Sequence, residues 1–323
     1  GVLCVVLGLT SIENERKKYI TDGKEIKNVK NITPYLTENK FVELERRSLP
    51  ISKLPPVVWG NKPTDGGYLI LNKEEKNLII KANPKAEKFI KKYLGAEEII
   101  NGSIRWCIWV EDEEKNEAIK IKELNKRFKE VEEFRFKSKA SSTRKKSKVS
   151  YKFIQIQSKP RNALIIPTVS SERRNYIPMD FVDAQTVVSP ANYVIYEPKP
   201  FIFSILNSRI FMVWVKAVAG RLEDRLRFSS ALCYNCFPFP NITSTQEQEL
   251  EKHTFNIISQ RESNSEKSLA QLYNSDLMPN NLKLAHEKND IYVDSLYKKN
   301  FNNDGERLKF LFEYYELLTK KNA

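Results

Sequence analysis

Residues 166–180 read IPTVSSERRNYIPMD, a dense polar insert between two apolar, strand-like segments. The segments are residues 163–169 before the insert and residues 176–181 after it. Two strands joined by a short loop would place the insert at the tip of a β-hairpin. Serine, asparagine and arginine side chains hold phosphates and contact base edges in nucleic-acid complexes. The sequence therefore predicts a nucleic-acid-binding loop made of Ser170, Ser171, Glu172, Arg173, Arg174 and Asn175.

The positive charge of the chain is concentrated in its first three quarters. Residues 1–243 carry 43 basic and 28 acidic side chains, a net of +15, whereas residues 244–323 carry 11 and 13, a net of −2. A positive field over the first part favours a polyanionic partner there. Solvated surface lysines would give the same counts, so the charge alone leaves both interpretations open.

Length and composition indicate a globular protein of two or three packed units. The chain has 323 residues, of which 41% are hydrophobic, enough for a sizeable core. Four cysteines in a chain of this length do not make a disulfide scaffold, and reduced thiols fit better. No apolar run approaches the roughly 18 residues of a membrane span. We expect a cytoplasmic protein without a membrane partner.

A long basic helix is predicted over residues 117–139. Ile121, Leu124, Phe128 and Val131 recur at three or four residues and make one apolar face, which Phe134 could extend. Residues 135–148 then hold seven basic side chains and no acidic one. The helix dipole favours such cations by only a few tenths of a kcal/mol, whereas each neutralised phosphate adds to affinity through counterion release. We therefore expect phosphate contacts from residues 135–148, through Lys137, Lys139, Arg144, Lys145, Lys146 and Lys148.

The remaining pattern predicts an α+β fold. One helix is expected to begin after the N-cap Asn72 and to end near residue 82, and a second to cover residues 84–93. Short strands, rich in β-branched and aromatic residues, could form one mixed sheet over residues 103–110, 151–157, 163–169, 176–181, 185–188 and 192–196.

The second half of the chain is predicted to be mainly helical. Residues 200–219 are apolar enough for one buried helix or two short ones that end at Gly220. A second arginine cluster follows, and we expect Arg221, Arg225 and Arg227 to approach the bases. A tail of helices is predicted over residues 246–263, 265–273, 279–297 and 304–321.

Few residues are suited to catalysis. The only histidines, His253 and His286, lie in the helical tail without partners at ligand spacing, which nearly excludes a histidine-dependent triad. Cys233 and Cys236 have the spacing of zinc ligands, but a structural zinc site needs two more. Two buried thiols are the simpler interpretation, and we expect no metal site.

A metal-dependent nuclease is a further alternative. Asp65, Glu74 and Lys76 fit the bare spacing of an Asp…Glu-x-Lys site. That chemistry needs the glutamate and the lysine on a strand, so that both side chains point at one metal. Here they are expected just inside a helix, after a turn that contains Asp65.

Several blocks of the sequence resemble, in order, one known family. They are DGGYLIL (65–71), YLGAEEIING (93–102), RWCIW (105–109), VSSERRNYIP (169–178), WVKAVAGR (214–221), YNCFPFP (234–240) and SLAQLY (268–273). The family is the target-recognition and C-terminal regions of MmeI-like DNA methyltransferases, found in fused type II restriction–modification enzymes. The resemblance covers nearly the whole chain. It departs from the family pattern at Cys236, where a second asparagine is expected, and at residues 225–228, where Arg-Leu-Arg-Phe replaces Tyr-Arg-Tyr.

The resemblance implies the recognition part of a longer enzyme. The family methylates adenine N6 with S-adenosylmethionine, and many members also cut DNA through a separate N-terminal nuclease. Those catalytic parts precede the regions matched here, so the resemblance implies no catalytic residues and no cofactor in this part. Double-stranded DNA and the upstream methyltransferase domain of the same polypeptide are the implied partners. Recognition must leave the target adenine free to flip into the upstream pocket.

The predicted organisation has three parts. Residues 1–45 are the end of the methyltransferase domain, with a strand remnant at residues 2–9 and a connector or small hairpin after it. Residues 46–242 are a mixed-sheet target-recognition domain with a long basic helix, and residues 243–323 are a helical C-terminal domain. Two other interpretations stay open: a nucleic-acid binder without sequence preference, and arginines that serve only internal ion pairs with Glu172, Glu223 and Asp224.

Overall fold

The computed structural model describes residues 6–9, 11, 17–21, 23, 25–33, 35, 38, 42–297 and 299–320. Of the predicted strand at residues 2–9, residues 6–9 are exposed and outside any strand, and the others lie outside the described residues. The following segment forms an antiparallel hairpin of β1 (Lys18–Thr21) and β2 (Ile26–Val29). A hairpin was one of the two forms predicted for this connector.

The first hydrophobic core lies under a four-stranded sheet. Its strands, in the order β10-β5-β6-β4, are β10 (Thr186–Val188), β5 (Ile90–Leu94), β6 (Arg105–Ile108) and β4 (Ile70–Leu71). The chain also forms helices α1 (Lys73–Ala82), α2 (Ala96–Asn101), α3 (Lys115–Lys120), α4 (Lys122–Phe136) and α5 (Ser141–Arg144) here, with 3-10 turns at Pro84–Phe89, Asp112–Glu114 and Ser147–Val149. Leu69, Phe89, Cys107 and Leu124 are fully buried in this core.

Signals in the local sequence predict α1 correctly, but they do not predict the elements that follow it. Asn72 caps α1, and its side-chain oxygen accepts from the Glu75 amide at 2.9 Å, as predicted. The predicted helix over residues 84–93 is wrong: its second half is β5, because pairing with β6 and β10 overrides local helical preference. The single long basic helix is also wrong. Ile121 adopts an extended conformation with its side chain buried, and this break separates α3 from α4.

The second core joins another sheet to the helical tail. The antiparallel sheet β3-β11-β7-β9 contains β3 (Val58–Trp59), β11 (Asn192–Tyr196), β7 (Ala163–Pro167) and β9 (Asp180–Val182). A three-stranded sheet of β12 (Gly220–Leu222), β13 (Arg225–Arg227) and β8 (Val169–Ser170) lies beside it. The helices are α6 (Pro200–Leu206), α7 (Arg209–Val218), α8 (Ser244–Glu262), α9 (Leu269–Leu272), α10 (Asn280–Leu296) and α11 (Asp304–Lys320), with a π-helical turn at Ser230–Tyr234.

The tail helices share one core with the second sheet. Ile165 of β7, Trp214 of α7, Leu250 of α8 and Phe312 of α11 belong to the same buried cluster. The prediction of helices over residues 200–219 and in the tail is therefore confirmed, and α6 and α7 are the two short helices. The predicted domain boundaries at residues 45/46 and 242/243 stay a prediction, since the division between the two cores falls inside residues 46–242.

The prediction that the strands between residues 103 and 196 form one sheet is wrong, because they are divided among three sheets. β10 pairs with β5 in the first sheet, although β9 and β11, its neighbours in sequence, belong to the second. Gly60 permits this crossing, because a Cβ atom there would lie 1.9 Å from the Ser189 carbonyl oxygen. The predicted strand at residues 151–157 contributes only an isolated bridge between Gln155 and Lys62.

No single helix in the described residues is long and apolar enough to cross a membrane. The bent pair of α6 and α7 has a suitable length and composition. Both helices, however, are largely buried in the second core.

Arg135 holds the first core together and is not a phosphate contact, so this part of the prediction is wrong. Its side chain is 1% exposed, and its guanidinium donates to the carbonyl oxygens of five residues. Burial lowers the pKa of Arg135 to about 10, which leaves it charged at neutral pH. The acceptors, at 2.6–3.4 Å, are Pro63, Thr64, Lys146, Val149 and Lys152. One side chain thereby joins the turn at residues 63–67 to residues 146–152.

We predict that Arg135→Lys destabilises the protein by about 3 kcal/mol or more, because an ammonium group cannot reach all five carbonyls and leaves buried acceptors unpaired. Chemical unfolding monitored by circular dichroism measures the change. Lys139→Met, an exposed position four residues away, is the control and should change the free energy of unfolding by less than about 0.5 kcal/mol. Equal effects from the two substitutions would contradict a structural role for Arg135.

Candidate nucleic-acid interface

The polar segment at residues 170–175 begins as a strand and continues as a loop. Residues 163–165 pair with residues 180–182 in antiparallel register, so a hairpin does enclose the segment. Ser170, however, lies in β8, pairs with Leu226 of β13 and is 5% exposed. Its predicted place at an exposed tip is wrong, because a third strand pairs there. Residues 171–175 form the loop that remains accessible, and we call them the recognition loop.

Two arginines of the recognition loop differ in their surroundings. Arg173 has a side chain that is 84% exposed, and its Nε lies 3.7 Å from Glu172 Oε1. Arg174 is half-buried, and its Nη1 donates to Ser170 Oγ at 3.3 Å. Its Nε is buried and has no hydrogen-bond partner among the described residues. Burial also lowers the pKa of Arg174. Arg174 is thus a partly desolvated cation with a donor still to be satisfied.

The second arginine cluster forms a hairpin of β12 and β13 around a turn at Glu223 and Asp224. Along β13, Arg225 and Arg227 are exposed and alternate with the buried Leu226, as the period of a strand requires. Arg221 donates to the Lys216 carbonyl oxygen at 2.9 Å. Arg225 pairs with Glu223 at 2.8 Å, whereas Arg227 has no ion-pair partner in the described parts of the chain.

Strand pairing brings these two predicted segments together. Leu226 of β13 faces Ser170 of β8, and the Phe228 amide donates to the Thr168 carbonyl oxygen at 2.8 Å. Fifty-odd residues of sequence separate them, yet they form one small sheet with the recognition loop at its edge. We call the exposed side of this sheet, with the recognition loop, the arginine face.

The basic segment at residues 137–148 lies on the first core instead. All of its predicted contact residues are exposed. Lys137 pairs with Glu133 at 2.5 Å, and Arg144 donates to the carbonyl oxygens of Ser138 and Lys139 at 2.8 Å. The side chains with neither an ion pair nor a hydrogen bond to described residues are those of Lys139, Lys145, Lys146 and Lys148. Phe134, expected on the apolar face of the helix, is 42% exposed beside this segment.

A buried polar network lies behind the recognition loop, and sequence reasoning missed it. Tyr176 follows the loop directly, and its hydroxyl donates to Asp290 Oδ2 of α10 at 2.7 Å. The Tyr176 ring stacks on His286 at a centroid distance of 4.0 Å. Arg261 of α8 donates to the Met179 carbonyl oxygen at 2.9 Å. Each partner is more than 80 residues away in sequence, so no local pattern could have indicated the contact.

Burial moves two pKa values in this network in opposite senses. It raises the pKa of Asp290 from 3.8 to about 7, against the hydrogen bonds from Tyr176 and the Arg209 amide. It lowers the pKa of His286 from 6.5 to about 3. Both side chains therefore favour their neutral forms under mildly acidic conditions. His286 is fully buried and packs against the rings of Tyr176 and Tyr273.

The residues considered for catalysis lie in structural positions. Asp65 is buried and accepts from the Leu69 amide at 2.6 Å. Glu74 and Lys76 lie on α1, a helix as predicted, and not on a strand. Cys233 and Cys236 are buried thiols in the second core. In the part of the chain that the structure describes, no three His, Cys, Asp or Glu side chains are grouped to hold a metal ion.

Comparison with known proteins identifies the family. A family model described as the MmeI target recognition domain matches residues 38–241, and a model described as the MmeI C-terminal domain matches residues 242–322. The chain belongs to the MmeI target-recognition family. The resemblance inferred from the sequence blocks is confirmed, as is the α+β fold with a helical C-terminal region.

Two relatives are longer proteins, and this chain matches only part of the length of each. The chain is 38% identical over 323 residues to DNA methyltransferase A of Bacillus subtilis (strain 168), covering 99% of this chain and 36% of that protein. It is 40% identical to the type IIL restriction–modification enzyme MmeI, solved in complex with DNA, with a TM-score of 0.86. That match covers 92% of this chain and 40% of the MmeI chain.

We predict that the Asp290→Asn variant changes how stability depends on pH. The raised pKa of Asp290 means that its contribution is fully present below about pH 4 and is lost as the pH rises towards about 7. His286, with a lowered pKa, contributes in the opposite sense, since its term is lost as the pH falls from 6.5 towards about 3. Relative to wild type, the variant should therefore gain stability as the pH rises through this window, by at most about 1.4 kcal/mol per pH unit.

Urea unfolding at pH 4.5, 5.5, 6.5 and 7.5 measures this difference. Asp294→Asn is the control for the loss of an acid from the same helix, because Asp294 is half-buried on α10 and pairs with Arg307. Parallel wild-type and Asp290→Asn curves would show that Asp290 does not titrate in this range.

Proposed function

We propose that this chain recognises a specific sequence in double-stranded DNA as the target-recognition part of a longer methyltransferase. The parent would methylate adenine N6 with S-adenosylmethionine within a restriction–modification system. The names of the relatives support this proposal, since one is a DNA methyltransferase and the other was solved with DNA. The cofactor and the chemistry are assigned to the upstream methyltransferase domain of the same polypeptide, and no residue of this chain is proposed to be catalytic.

The pairing of β8 with β13 is the observation that carries the proposal. It joins the recognition loop and the arginine hairpin into one arginine face, on which Arg173 and Arg227 are exposed. A guanidinium forms two hydrogen bonds with guanine, which is worth about 1–3 kcal/mol of discrimination per base pair. The buried, unpaired Nε of Arg174 adds a donor that a ligand acceptor could satisfy.

The basic segment supplies the second component of binding. Its unpaired lysines are exposed point charges and are suited to phosphate oxygens, which carry no sequence information. They lie on the first core, whereas the arginine face lies on the second. We propose that the lysines on the first core contact the phosphate backbone of DNA and that the arginine face on the second core contacts base edges.

The experiment that tests this proposal selects preferred duplexes from a randomised pool with the full chain. A single short motif should emerge and bind at least about a thousandfold more tightly than scrambled duplex near physiological salt. Equal affinity for both, with only a steep salt dependence, would favour the competing function, a binder without sequence preference.

We predict that Arg227→Ala relaxes discrimination at one position of the motif by about 1–3 kcal/mol, because one bidentate base contact is lost. Dissociation constants for the motif and its single-base variants measure the change. Arg161→Ala is the control: Arg161 is also exposed, but it precedes β7 at the end opposite the recognition loop and packs on Tyr196. Loss of affinity without any change in base preference would assign Arg227 to the phosphates.

We predict that Lys145→Gln combined with Lys146→Gln weakens all duplexes alike. Each lost phosphate contact should reduce the slope of log affinity against log salt by about 1. The ratio of specific to scrambled affinity should stay the same. Lys288→Gln with Lys309→Gln, two exposed lysines in the net-acidic tail, should leave the slope unchanged. A slope that does not respond to the first pair would remove the basic segment from the interface.

A further inference from the structure

The recognition loop is held differently at its two ends. Its first end continues β8 and is fixed by pairing with β13. Its second end is Tyr176, which is 8% exposed and has left the sheet. There the chain is held by side chains of the C-terminal helices, through the Tyr176–Asp290 bond and the Arg261–Met179 bond. The loop geometry therefore depends on a part of the chain that follows it by about a hundred residues.

Asp290 contacts two segments that adjoin the arginine face: the residue that follows the recognition loop, and the start of the helix that precedes the arginine hairpin. One carboxylate oxygen accepts from the Tyr176 hydroxyl at 2.7 Å, and the other accepts from the Arg209 amide at 2.7 Å. Arg209 is the first residue of α7, and α7 leads through Ala219 directly into β12 of the arginine hairpin. One buried carboxylate thus joins the end of the recognition loop to the helix that carries the hairpin.

Arg261 provides a second connection to the same segment. Besides the Met179 carbonyl bond, it lies 3.6 Å from Asp180 and donates from Nε to the Tyr273 hydroxyl at 2.8 Å. The Tyr273 hydroxyl is in turn 2.9 Å from His286 Nε2, and His286 stacks on Tyr176. The network is continuous from α8 through α9 and α10 to the chain that leaves the recognition loop.

Apolar packing alone does not hold this end of the loop. A cleft of about 380 Å³ opens beside the network, and Asn175, Tyr176, Arg209 and Asp290 are among its lining residues. Because this end of the loop lines the cleft, the directional hydrogen bonds fix the position of its backbone. Base readout is sensitive to this, because recognition groups need to be held to within about 0.5 Å of the productive geometry.

We propose that Asp290 is a positioning residue that sets the recognition loop against the arginine hairpin, so that the C-terminal helices determine sequence specificity without contacting DNA. This inference rests on the proposed function, since it assigns base reading to the arginine face. Tyr176 is the partner through which Asp290 acts on the loop. Phosphate contacts on the first core are independent of this network.

The test compares variants of the full chain for binding to the selected motif, its single-base variants and scrambled duplex. Tyr176→Phe and Asp290→Asn should each reduce the ratio of specific to scrambled affinity by tenfold or more. Scrambled affinity and its salt slope should stay at the wild-type values, because the lysines are untouched. Asp294→Asn is the matched control, as this half-buried acid joins α10 to Arg307 of α11 and not to the arginine face.

Unfolding measurements separate positioning from loss of the fold. Tyr176→Phe removes a single oxygen, so it remains decisive even where Asp290→Asn fails to fold. A folded Tyr176→Phe variant with the wild-type ratio would overturn the proposal, as would equal losses of specificity in Asp290→Asn and Asp294→Asn. A wild-type chain that prefers no motif would instead overturn the proposed function itself, so the two failures are distinguishable.

Discussion

The pairing of β8 with β13 is the constraint on which the arginine face depends. Two residues, Val169 and Ser170, leave the main sheet and bond to Leu226 and Arg227. The pairing buries Ser170, so the polar segment cannot be the free hairpin tip that its composition indicates. In exchange it places the arginine hairpin beside the strand that leads into the recognition loop, with Arg227 opposite Val169. With β13 paired in this way, the alternation along the strand leaves Arg225 and Arg227 facing solvent and buries Leu226.

The C-terminal helices support the arginine face from inside the protein. They share one hydrophobic core with the second sheet, so the tail is not an independent module that could be exchanged freely. Polar contacts run through the same interface, and Asp290 accepts from both Tyr176 and the start of α7. Buried polar groups are destabilising unless they are paired. Their presence here, where apolar side chains would pack with less penalty, is consistent with a requirement for one defined loop position.

Local signals could be predicted from the sequence, and nonlocal ones could not. The Asn72–Glu75 capping box predicted α1, and the apolar run at residues 200–219 predicted α6 and α7. Both predictions succeeded because each signal lies within one turn or one helix. The sequence also marked both arginine-bearing segments of the candidate site. Sequence reasoning missed β5, the division of the strands among three sheets, and the Tyr176–Asp290 bond. Each of these depends on a partner far along the chain, which a pattern in one sequence does not encode.

Counting the charges of the basic segment overestimates how many of its side chains are available for binding. Seven basic residues lie between residues 135 and 148, but they do three different things. Arg135 is buried and holds backbone carbonyls, Lys137 and Arg144 are satisfied by neighbouring groups, and only four lysines remain unpaired among the described residues. Those four lie on the first core, away from the arginines of the second. Under the proposed function, sequence-independent and sequence-dependent contacts belong to different cores, so base preference could change through the arginine face while phosphate binding stays the same.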